Sequence, residues 1–257
     1  MNQIMQKAVL AAALMGAMGM AQAAVVSAQS NSDTGGIRVG ATSTGAAGAG
    51  VDGQLYNAKA TFTHFADAKY QSTSTGVYHF TGRQLVADGA PGPAGPGPDH
   101  TNLGVWSFAK VGSQDVWFGE WDAESTTAGT KAAGKHTVFY AGENGTVATT
   151  LPTTGPVTYA VKSINNYSGA ALPTSTLTAN FNTKAASSTG DINFSNGTIS
   201  TSGAAVNLAA SGVQVVSANG TGGALKGNFF GAGATGVAGI VTFSDRTKDT
   251  AFGGTKN

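Results

Sequence analysis

The chain contains no cysteine, and only 11% of its residues are charged. Without cysteine it cannot form a structural disulfide, use a thiol nucleophile or hold an iron–sulfur cluster. The few charges nearly cancel, to a formal net charge of +1. They therefore provide no basic stripe for a nucleic-acid partner, and we expect none.

The motifs of common enzyme classes are also missing. The sequence has no His-Glu-x-x-His zinc motif, no Gly-x-Ser-x-Gly elbow and no phosphate loop that ends in Gly-Lys-Ser/Thr. Carboxylates are sparse, and the one cluster, Glu120, Asp122 and Glu124, is interpreted as a solvated strand edge. Because no catalytic site can be assembled, we predict that the protein is not an enzyme.

The first 23 residues have the composition of a signal peptide. Lys7 supplies a positive charge, residues 8–20 are apolar, and Ala21-Gln22-Ala23 matches a small-residue cleavage site. The apolar run is too short to span a membrane well, and no other run reaches the length of a transmembrane helix. We expect a mature chain that begins near Ala24, lacks both a lipid anchor and a transmembrane segment, and is released as a monomer.

The remaining sequence predicts an all-β protein with many turns, since it has 38 glycines and short runs of alternating polar and apolar residues. Residues 25–53 are low in complexity and are expected to be largely loose apart from a strand at 37–39. Residues 54–64 form β-compatible runs, and the next predicted strands are 76–82 with an extension at 84–87, 103–110, 115–122 and 136–140. The last set is 157–164, 176–182, 191–194, 204–209, 213–216, 224–230, 237–243 and 250–254.

Turn signals divide these strands. The loop at 88–102 is rich in proline and glycine and cannot be a helix or an interior strand. Asn196-Gly197 and Asn219-Gly220 are the pairs that type I′ hairpin turns prefer. We predict a signal peptide at 1–23, an irregular β-rich ligand-binding domain at 24–147, and an eight-stranded antiparallel β-barrel at 148–257.

All four histidines, His64, His79, His100 and His136, lie in the first predicted domain, together with all three tryptophans. Imidazole is a common metal ligand, and an aromatic slot beside it suits a porphyrin. The residues alone favour the simpler interpretation, in which the aromatic side chains form the core of a β domain.

Three segments near the C-terminus carry a family resemblance. Gly227-Asn-Phe-Phe-Gly231, Gly236-Val-Ala-Gly239-Ile-Val and Ala251-Phe-Gly-Gly-Thr resemble the end of the eight-stranded barrel of transferrin-binding protein B. Neisserial factor-H-binding lipoproteins share that barrel, as do the secreted haem-binding hemophilins. Trp117-Phe-Gly-Glu-Trp121 and His136-Thr-Val-Phe-Tyr-Ala-Gly142 resemble the segments that lead into the barrel in hemophilins.

The resemblance implies a secreted hemophore of a Gram-negative bacterium. Such a protein would bind haem (iron protoporphyrin IX), leave the cell through a Slam-type translocon and deliver haem to an outer-membrane haem receptor for iron acquisition. The alternative is a surface or secreted protein that binds a host protein, like the factor-H and transferrin binders. Clustered histidines favour the first function, because host-protein binding does not require them.

Physical reasoning ranks the histidines as iron ligands within that implied function. His100 lies in the proline–glycine loop, where no strand constrains it, and His64 ends a predicted strand between aromatic residues. We predict bis-imidazole ligation by His100 and His64, ahead of His79 and then His136, which lie inside predicted strands.

Aromatic side chains near these ligands are expected to pack against the porphyrin. The predicted contacts are Phe62, Phe65, Trp106 and Tyr78. Lys69, Arg83 and Lys110 are open alternatives for pairing with the haem propionates. The predicted barrel contains no histidine or tryptophan and is expected not to bind haem.

Overall fold

The computed structural model describes residues 24–52, 59–95, 99–143, 151–153 and 155–257. It confirms an all-β fold with an N-terminal β-sheet region and a closed C-terminal barrel of eight antiparallel strands. The predicted signal peptide and the predicted boundary at residues 147 and 148 lie outside the described residues. Within the described ranges, no helix is both long and apolar enough to cross a membrane.

Two antiparallel sheets make up the N-terminal region. The smaller sheet contains β2 (Ile37–Ala41), β3 (Ala47–Val51) and β4 (Ala60–Thr61). The larger sheet has the order β1-β8-β7-β6-β5 and contains β1 (Val25–Gln29), β5 (Tyr78–Thr81), β6 (Val105–Lys110), β7 (Val116–Asp122) and β8 (Thr137–Glu143). The aromatic strands predicted from the sequence are therefore neighbours in one sheet.

The expectation that residues 25–53 are largely loose is wrong for the part of this stretch that the structure describes. Strand β3 has the sequence Ala-Gly-Ala-Gly-Val and is buried along its whole length. A side chain at Gly48 would clash with the backbone of Ala60, so only glycine permits this close approach. The low complexity reflects tight packing, and Ile37 and Val51 share a core with Trp106 and Trp117.

Two short helices interrupt the N-terminal sheets. Helix α1 (Phe62–Phe65) begins after Thr61, and helix α2 (Gly82–Ala87) begins after Thr81. The threonine hydroxyls accept hydrogen bonds from the first turn of each helix, as N-caps do. The predicted β-run that ends at His64 and the predicted strand at 84–87 are therefore wrong at these residues, because each capped turn begins a helix there.

The barrel closes in the order β10-β11-β12-β13-β14-β15-β16-β9. Its strands are β9 (Val157–Ile164), β10 (Thr174–Asn180), β11 (Ala185–Gly190), β12 (Ile192–Ser202), β13 (Ala205–Val215), β14 (Gly220–Phe230), β15 (Gly236–Thr242) and β16 (Thr250–Lys256). Apolar side chains fill its interior, as expected for eight strands; they include Leu177, Phe181, Val206 and Phe229.

The two predicted Asn-Gly turns have different outcomes. Asn219 has a φ of 50° and lies in the turn that joins β13 to β14, so this turn is confirmed. Asn196-Gly197 lies inside β12, where Gly197 pairs with Ala186, so the predicted turn is wrong. A Cβ at Gly197 would lie 2.6 Å from Cε2 of Phe194, and this close ring explains the glycine.

The sheet and the barrel share a hydrophobic core. The N-terminal sheet contributes Val77, Val111, Phe118, Val138 and Tyr140. The barrel contributes Ile164, Phe230, Ala238, Ile240 and Ala251. One face of the sheet therefore packs on the outside of the barrel, and the opposite face supports the cavity described next.

Candidate ligand-binding site

A cavity of about 260 Å³ lies beside the N-terminal sheet, between α1, the 3₁₀ turn Ala68–Tyr70 and the segment from α2 to residue 103. Both predicted iron ligands, His64 and His100, line it. The other lining residues are Phe65, Asp67, Lys69, Tyr70, Phe80, Leu85, Asp88, Ala90 and Leu103. The cavity therefore combines two imidazoles with a mixed wall, in which phenylalanine and leucine side chains lie beside Asp67, Lys69 and Asp88.

The ring of His100 is held by one hydrogen bond. Its Nδ1 lies 3.1 Å from the carbonyl oxygen of Pro91. A carbonyl oxygen only accepts, so Nδ1 must be the protonated nitrogen and must donate. In the neutral ring Nε2 then carries the free lone pair that a metal requires, and a backbone partner of this kind commonly orients a ligating histidine.

Backbone contacts hold the segment that carries His100. The His100 N–H donates to the Pro91 carbonyl at 3.0 Å, and the Leu103 N–H donates to the His100 carbonyl at 3.1 Å. Gly82 at the start of α2 packs directly on this segment, and a Cβ there would lie 2.7 Å from the Thr101 carbonyl oxygen. Glycine at position 82 is thus required for His100 to lie where it does.

His64 approaches the cavity from α1. Its backbone N–H donates to Thr61 Oγ1 at 3.2 Å, and its ring contacts the edge of Phe65 at 6.0 Å between centroids. The side chain is exposed. Among the described residues, no hydrogen-bond partner is found for either ring nitrogen of His64, so both nitrogens are available to a ligand.

The four predicted aromatic contacts are distributed between the cavity and its surroundings. Phe65 lines the cavity and stacks on Trp106 at 5.6 Å, which places Trp106 behind it. Phe62 is fully buried in the core and stacks on Phe139 at 5.4 Å. Tyr78 stacks on Phe108 and lines a different cavity. Phe62, Trp106 and Tyr78 are thus not among the described residues that line the histidine cavity.

The cavity wall also contains residues that were not among the four predicted aromatic contacts. Phe80, Leu85 and Leu103 supply apolar surface, and Tyr70 and Asp88 lie at the wall next to Lys69. The period of two in a strand could have identified Phe80, because Phe80 lies on the same face of β5 as the predicted contact Tyr78. Leu85 was not, because it faces the cavity only as part of a helix.

His79 and His136 lie outside the cavity. His79 is half-buried, and its Nδ1 lies 3.0 Å from Ser107 Oγ. Burial, reinforced by the charge of Lys131, lowers the pKa of His79. His136 is buried between the sheet and the barrel: its Nδ1 lies 3.2 Å from both oxygens of Asp122, and its Nε2 lies 3.1 Å from the Asp249 carbonyl oxygen.

A buried ionic cluster surrounds His136 and connects the sheet to the barrel. Glu120, Asp122 and Lys131 form it together with His136, and Lys131 Nζ lies 2.7 Å from Glu120 and 3.1 Å from Asp122. Glu120 also accepts hydrogen bonds from the backbone N–H groups of Asn166 and Tyr167 in the barrel, at 2.6 and 2.8 Å. The interpretation of Glu120 and Asp122 as a solvated edge is therefore wrong, because both side chains are buried.

The neighbours in the cluster shift the pKa values of His136 and Asp122 toward the charged forms. Burial alone would lower the pKa of His136, but the hydrogen bond and charge of Asp122, with the charge of Glu120, raise it. Burial would likewise raise the pKa of Asp122, but His136 and Lys131 lower it. Although three ligand atoms of Glu120, Asp122 and His136 lie within 4.8 Å of one another, the ammonium of Lys131 and the imidazolium already balance the two carboxylates.

Comparison with known proteins identifies both halves of the chain. Residues 20–137 match the family model for the HphA N-terminal heme-binding domain, and residues 149–256 match the model for the HphA C-terminal domain. The matched regions hold the histidine cavity and the barrel, respectively.

Solved structures of transferrin binding protein B are similar to parts of the chain. The N and C lobes of intact Ap-TbpB match 91% of this chain with a TM-score of 0.47 and 11% identity. A double mutant from Haemophilus parasuis Hp5 matches 59% (TM-score 0.40, 15% identity), and the isotype 1 protein from serogroup B Neisseria meningitidis matches 60% (TM-score 0.38, 14% identity). The chain spans 46%, 34% and 33% of these three structures, respectively.

Proposed function

Since this chain belongs to the HphA, or hemophilin, family, we propose that it is a secreted hemophore that captures haem at the cavity lined by His64 and His100. The observation that carries this proposal is the pair of imidazoles on one cavity, each with a nitrogen that no described residue occupies. Neutral imidazole nitrogens ligate haem iron, and apolar side chains cover the porphyrin faces.

The side chains of the cavity fit an iron porphyrin. His100 Nδ1 is hydrogen-bonded to a carbonyl oxygen, so the lone pair of Nε2 would be the one that binds iron. Phe65 and Phe80 offer ring surface backed by Trp106, and Leu85 and Leu103 complete the apolar part of the wall. We propose bis-imidazole ligation by His100 and His64, and we assign no ligand role to His136, whose ring nitrogens both have protein partners.

We propose a division of labour between a haem-binding domain at 24–147 and a barrel at 148–257. The barrel interior is filled by its own side chains and residues 148–257 contain no histidine, so the barrel is assigned to export and receptor handling. A Slam-type translocon would recognise it after removal of the signal peptide at 1–23, and an outer-membrane receptor would take the haem. The protein acts as a binder and not as an enzyme.

Titration with haemin tests the proposal. The wild-type protein should shift and sharpen the Soret band of haemin with a one-to-one endpoint. His100→Ala should bind haemin about 100-fold more weakly, because loss of a ligand exceeds the 10- to 100-fold cost of losing a partner behind a ligand. Glu143→Gln, at an exposed position in β8 that lines neither cavity, is the control and should keep wild-type affinity. An unchanged haemin spectrum with the wild-type protein would refute the function.

Delivery requires a separate experiment. Haem-loaded protein should restore growth of iron-starved cells of the producing bacterium, and the His100→Ala protein should restore less growth at equal concentration. Equal growth with the wild-type and variant proteins would show that capture at this cavity is not what supplies the haem.

A further inference from the structure

A second cavity adjoins the histidine cavity across the 3₁₀ turn Ala68–Tyr70. It has a volume of about 560 Å³, and Lys69 and Tyr70 line both cavities. The second cavity lies where the sheet region meets the barrel, because Tyr167, Ser168 and Gly169 close its far side. Ligand sites occur preferentially at such junctions.

The two cavities differ in chemistry. The histidine cavity has phenylalanine and leucine side chains on part of its wall and the carboxylates of Asp67 and Asp88 on another part. The second cavity presents hydrogen-bond donors that include Lys69 and Lys131, and no carboxylate is among the described residues that line it. An anionic group of a ligand is therefore better accommodated in the second cavity, and Lys69 lies at the boundary between the two.

Size indicates that one ligand uses both cavities. Sites for cofactors and drug-sized ligands have volumes of about 300–1,000 Å³, and the histidine cavity has only about 260 Å³. A haem bound there must extend beyond it. Because haem has an apolar iron-bearing ring and two anionic propionates at one edge, its two ends match the two cavities.

The boundary between the cavities is held by weak contacts. Tyr70 Oη donates to Asp88 Oδ2 at 2.7 Å, while Lys69 Nζ lies 3.7 Å from the same carboxylate and 4.6 Å from the centre of the Tyr70 ring. The Lys69 side chain is 49% exposed, and ion pairs at such positions contribute little. The ammonium can thus leave Asp88 for another anion at small cost.

Lys131 is bound differently. It lies deeper and already pairs with Glu120 and Asp122 in the buried cluster. The charge of Lys131 makes the second cavity more cationic, but its ammonium remains paired with Glu120 and Asp122. Among the lysines of this cavity, Lys69 is the one whose ammonium can transfer to a ligand.

We infer that the second cavity is a carboxylate subsite for the ligand of the histidine cavity, in which Lys69 exchanges Asp88 for a haem propionate. This inference rests on the proposed haem function and selects Lys69 from the three candidate partners of the propionates. The other two are already engaged elsewhere: Arg83 Nη1 donates to the Thr126 carbonyl at 2.7 Å, and Lys110 Nζ lies over the Trp117 ring at 5.2 Å.

The test compares haemin with haemin dimethyl ester, which keeps the iron and the ring but lacks both carboxylates. The wild-type protein should bind the ester about tenfold more weakly than haemin, as expected for the loss of a charge-assisted contact. Lys69→Gln should bind haemin about tenfold more weakly than wild type and should distinguish haemin from the ester by less than about twofold. Lys69→Arg should restore most of the discrimination.

Lys110→Gln is the matched control and should discriminate between the two ligands as the wild type does. The subsite is refuted if Lys69→Gln keeps the full preference for haemin, or if the wild type binds both ligands equally. Either result leaves haem capture by the histidines intact. Failure of the wild type to bind either ligand would instead overturn the haem function, and the subsite with it.

Discussion

His100 and His136 are both hydrogen-bonded to oxygen acceptors, yet their surroundings differ. His100 donates from Nδ1 to one carbonyl oxygen and lines a cavity. His136 is buried between the sheet and the barrel, and both of its nitrogens face acceptors, Asp122 and the Asp249 carbonyl. A ring between two acceptors must carry two protons, so it is an imidazolium without a lone pair for a metal.

The contrast shows which features separate a candidate ligand histidine from a structural one. Burial and a charged partner are signs of function in many proteins, but here they mark the histidine that joins the two halves of the chain. The ligand candidates are the less buried His64 and His100. Each of the two lines a cavity and has a ring nitrogen for which the described part of the chain provides no hydrogen-bond partner.

The largest expected effect is a loss of stability when the ionic cluster around His136 is disrupted. Glu120→Gln should lower the free energy of unfolding by about 3–5 kcal/mol, because it removes a fully buried charge that pairs with Lys131 and accepts hydrogen bonds from two N–H groups of the barrel. Urea unfolding of haem-free protein would measure the change. Glu143→Gln, at an exposed position in β8, is the control and should change stability by less than about 0.5 kcal/mol. Equal stability of the two variants would mean that the ionic cluster does not hold the halves together.

The next largest effect is on haemin binding, through the position of His100. Gly82→Ala should weaken haemin binding about tenfold, because the new Cβ would lie 2.7 Å from the Thr101 carbonyl oxygen and displace the segment that carries His100. Gly95→Ala changes a glycine in the same proline–glycine loop, but its nearest neighbour would lie 3.5 Å away. It should bind haemin within about twofold of wild type, and a loss equal to that of Gly82→Ala would contradict the role of Gly82.

The smallest effect is the pH dependence of stability. The pKa of His136 is raised above its ordinary value of 6.5, so its contribution is complete below that value and is lost as the pH rises through the raised pKa. The pKa of Asp122 is lowered below 3.8, so its contribution is present above 3.8 and is lost as the pH falls through the lowered pKa. The other charged groups near His136 and Asp122 are Glu120 and Lys131 of the same cluster, and Asp249.

The difference in unfolding free energy between wild type and His136→Gln isolates the contribution of His136. Wild type should be more stable than His136→Gln at about pH 5, and the gap should narrow toward about pH 9 as the imidazolium loses its proton. Unfolding in urea at several pH values would measure the gap. A gap that is constant across this range would show that the charge of His136 does not stabilise the fold.

The sequence was most informative about the barrel. Alternating residues such as Leu177, Ala179 and Phe181 predicted half-buried strands, and β9 has the predicted bounds. The strand Ala185–Gly190 was missed, because its small polar residues carry no apolar alternation. The two predicted runs at 204–209 and 213–216 are one strand, β13, whose pairing with β14 shifts register in that region.

Long-range contacts explain the remaining errors. Asn196-Gly197 has the local chemistry of a turn, but its glycine makes room for Phe194 within a strand. Glu120 and Asp122 were interpreted as solvent-exposed because a local pattern does not show their partners. Lys131 and His136 lie 11 and 14 residues away along the chain, respectively. The joint placement of His64 and His100 on one cavity likewise depends on two capped helices and a loop, which no local pattern specifies.

Electron paramagnetic resonance of the ferric haem complex tests the central claim most directly. We expect the wild-type complex to give a low-spin spectrum typical of two imidazole ligands. His64→Ala and His100→Ala should each replace it with a high-spin signal, while His136→Gln should leave it low-spin despite its lower stability. A low-spin spectrum that survives both cavity variants, or disappears in His136→Gln, would contradict the assignment of His64 and His100 as the iron ligands.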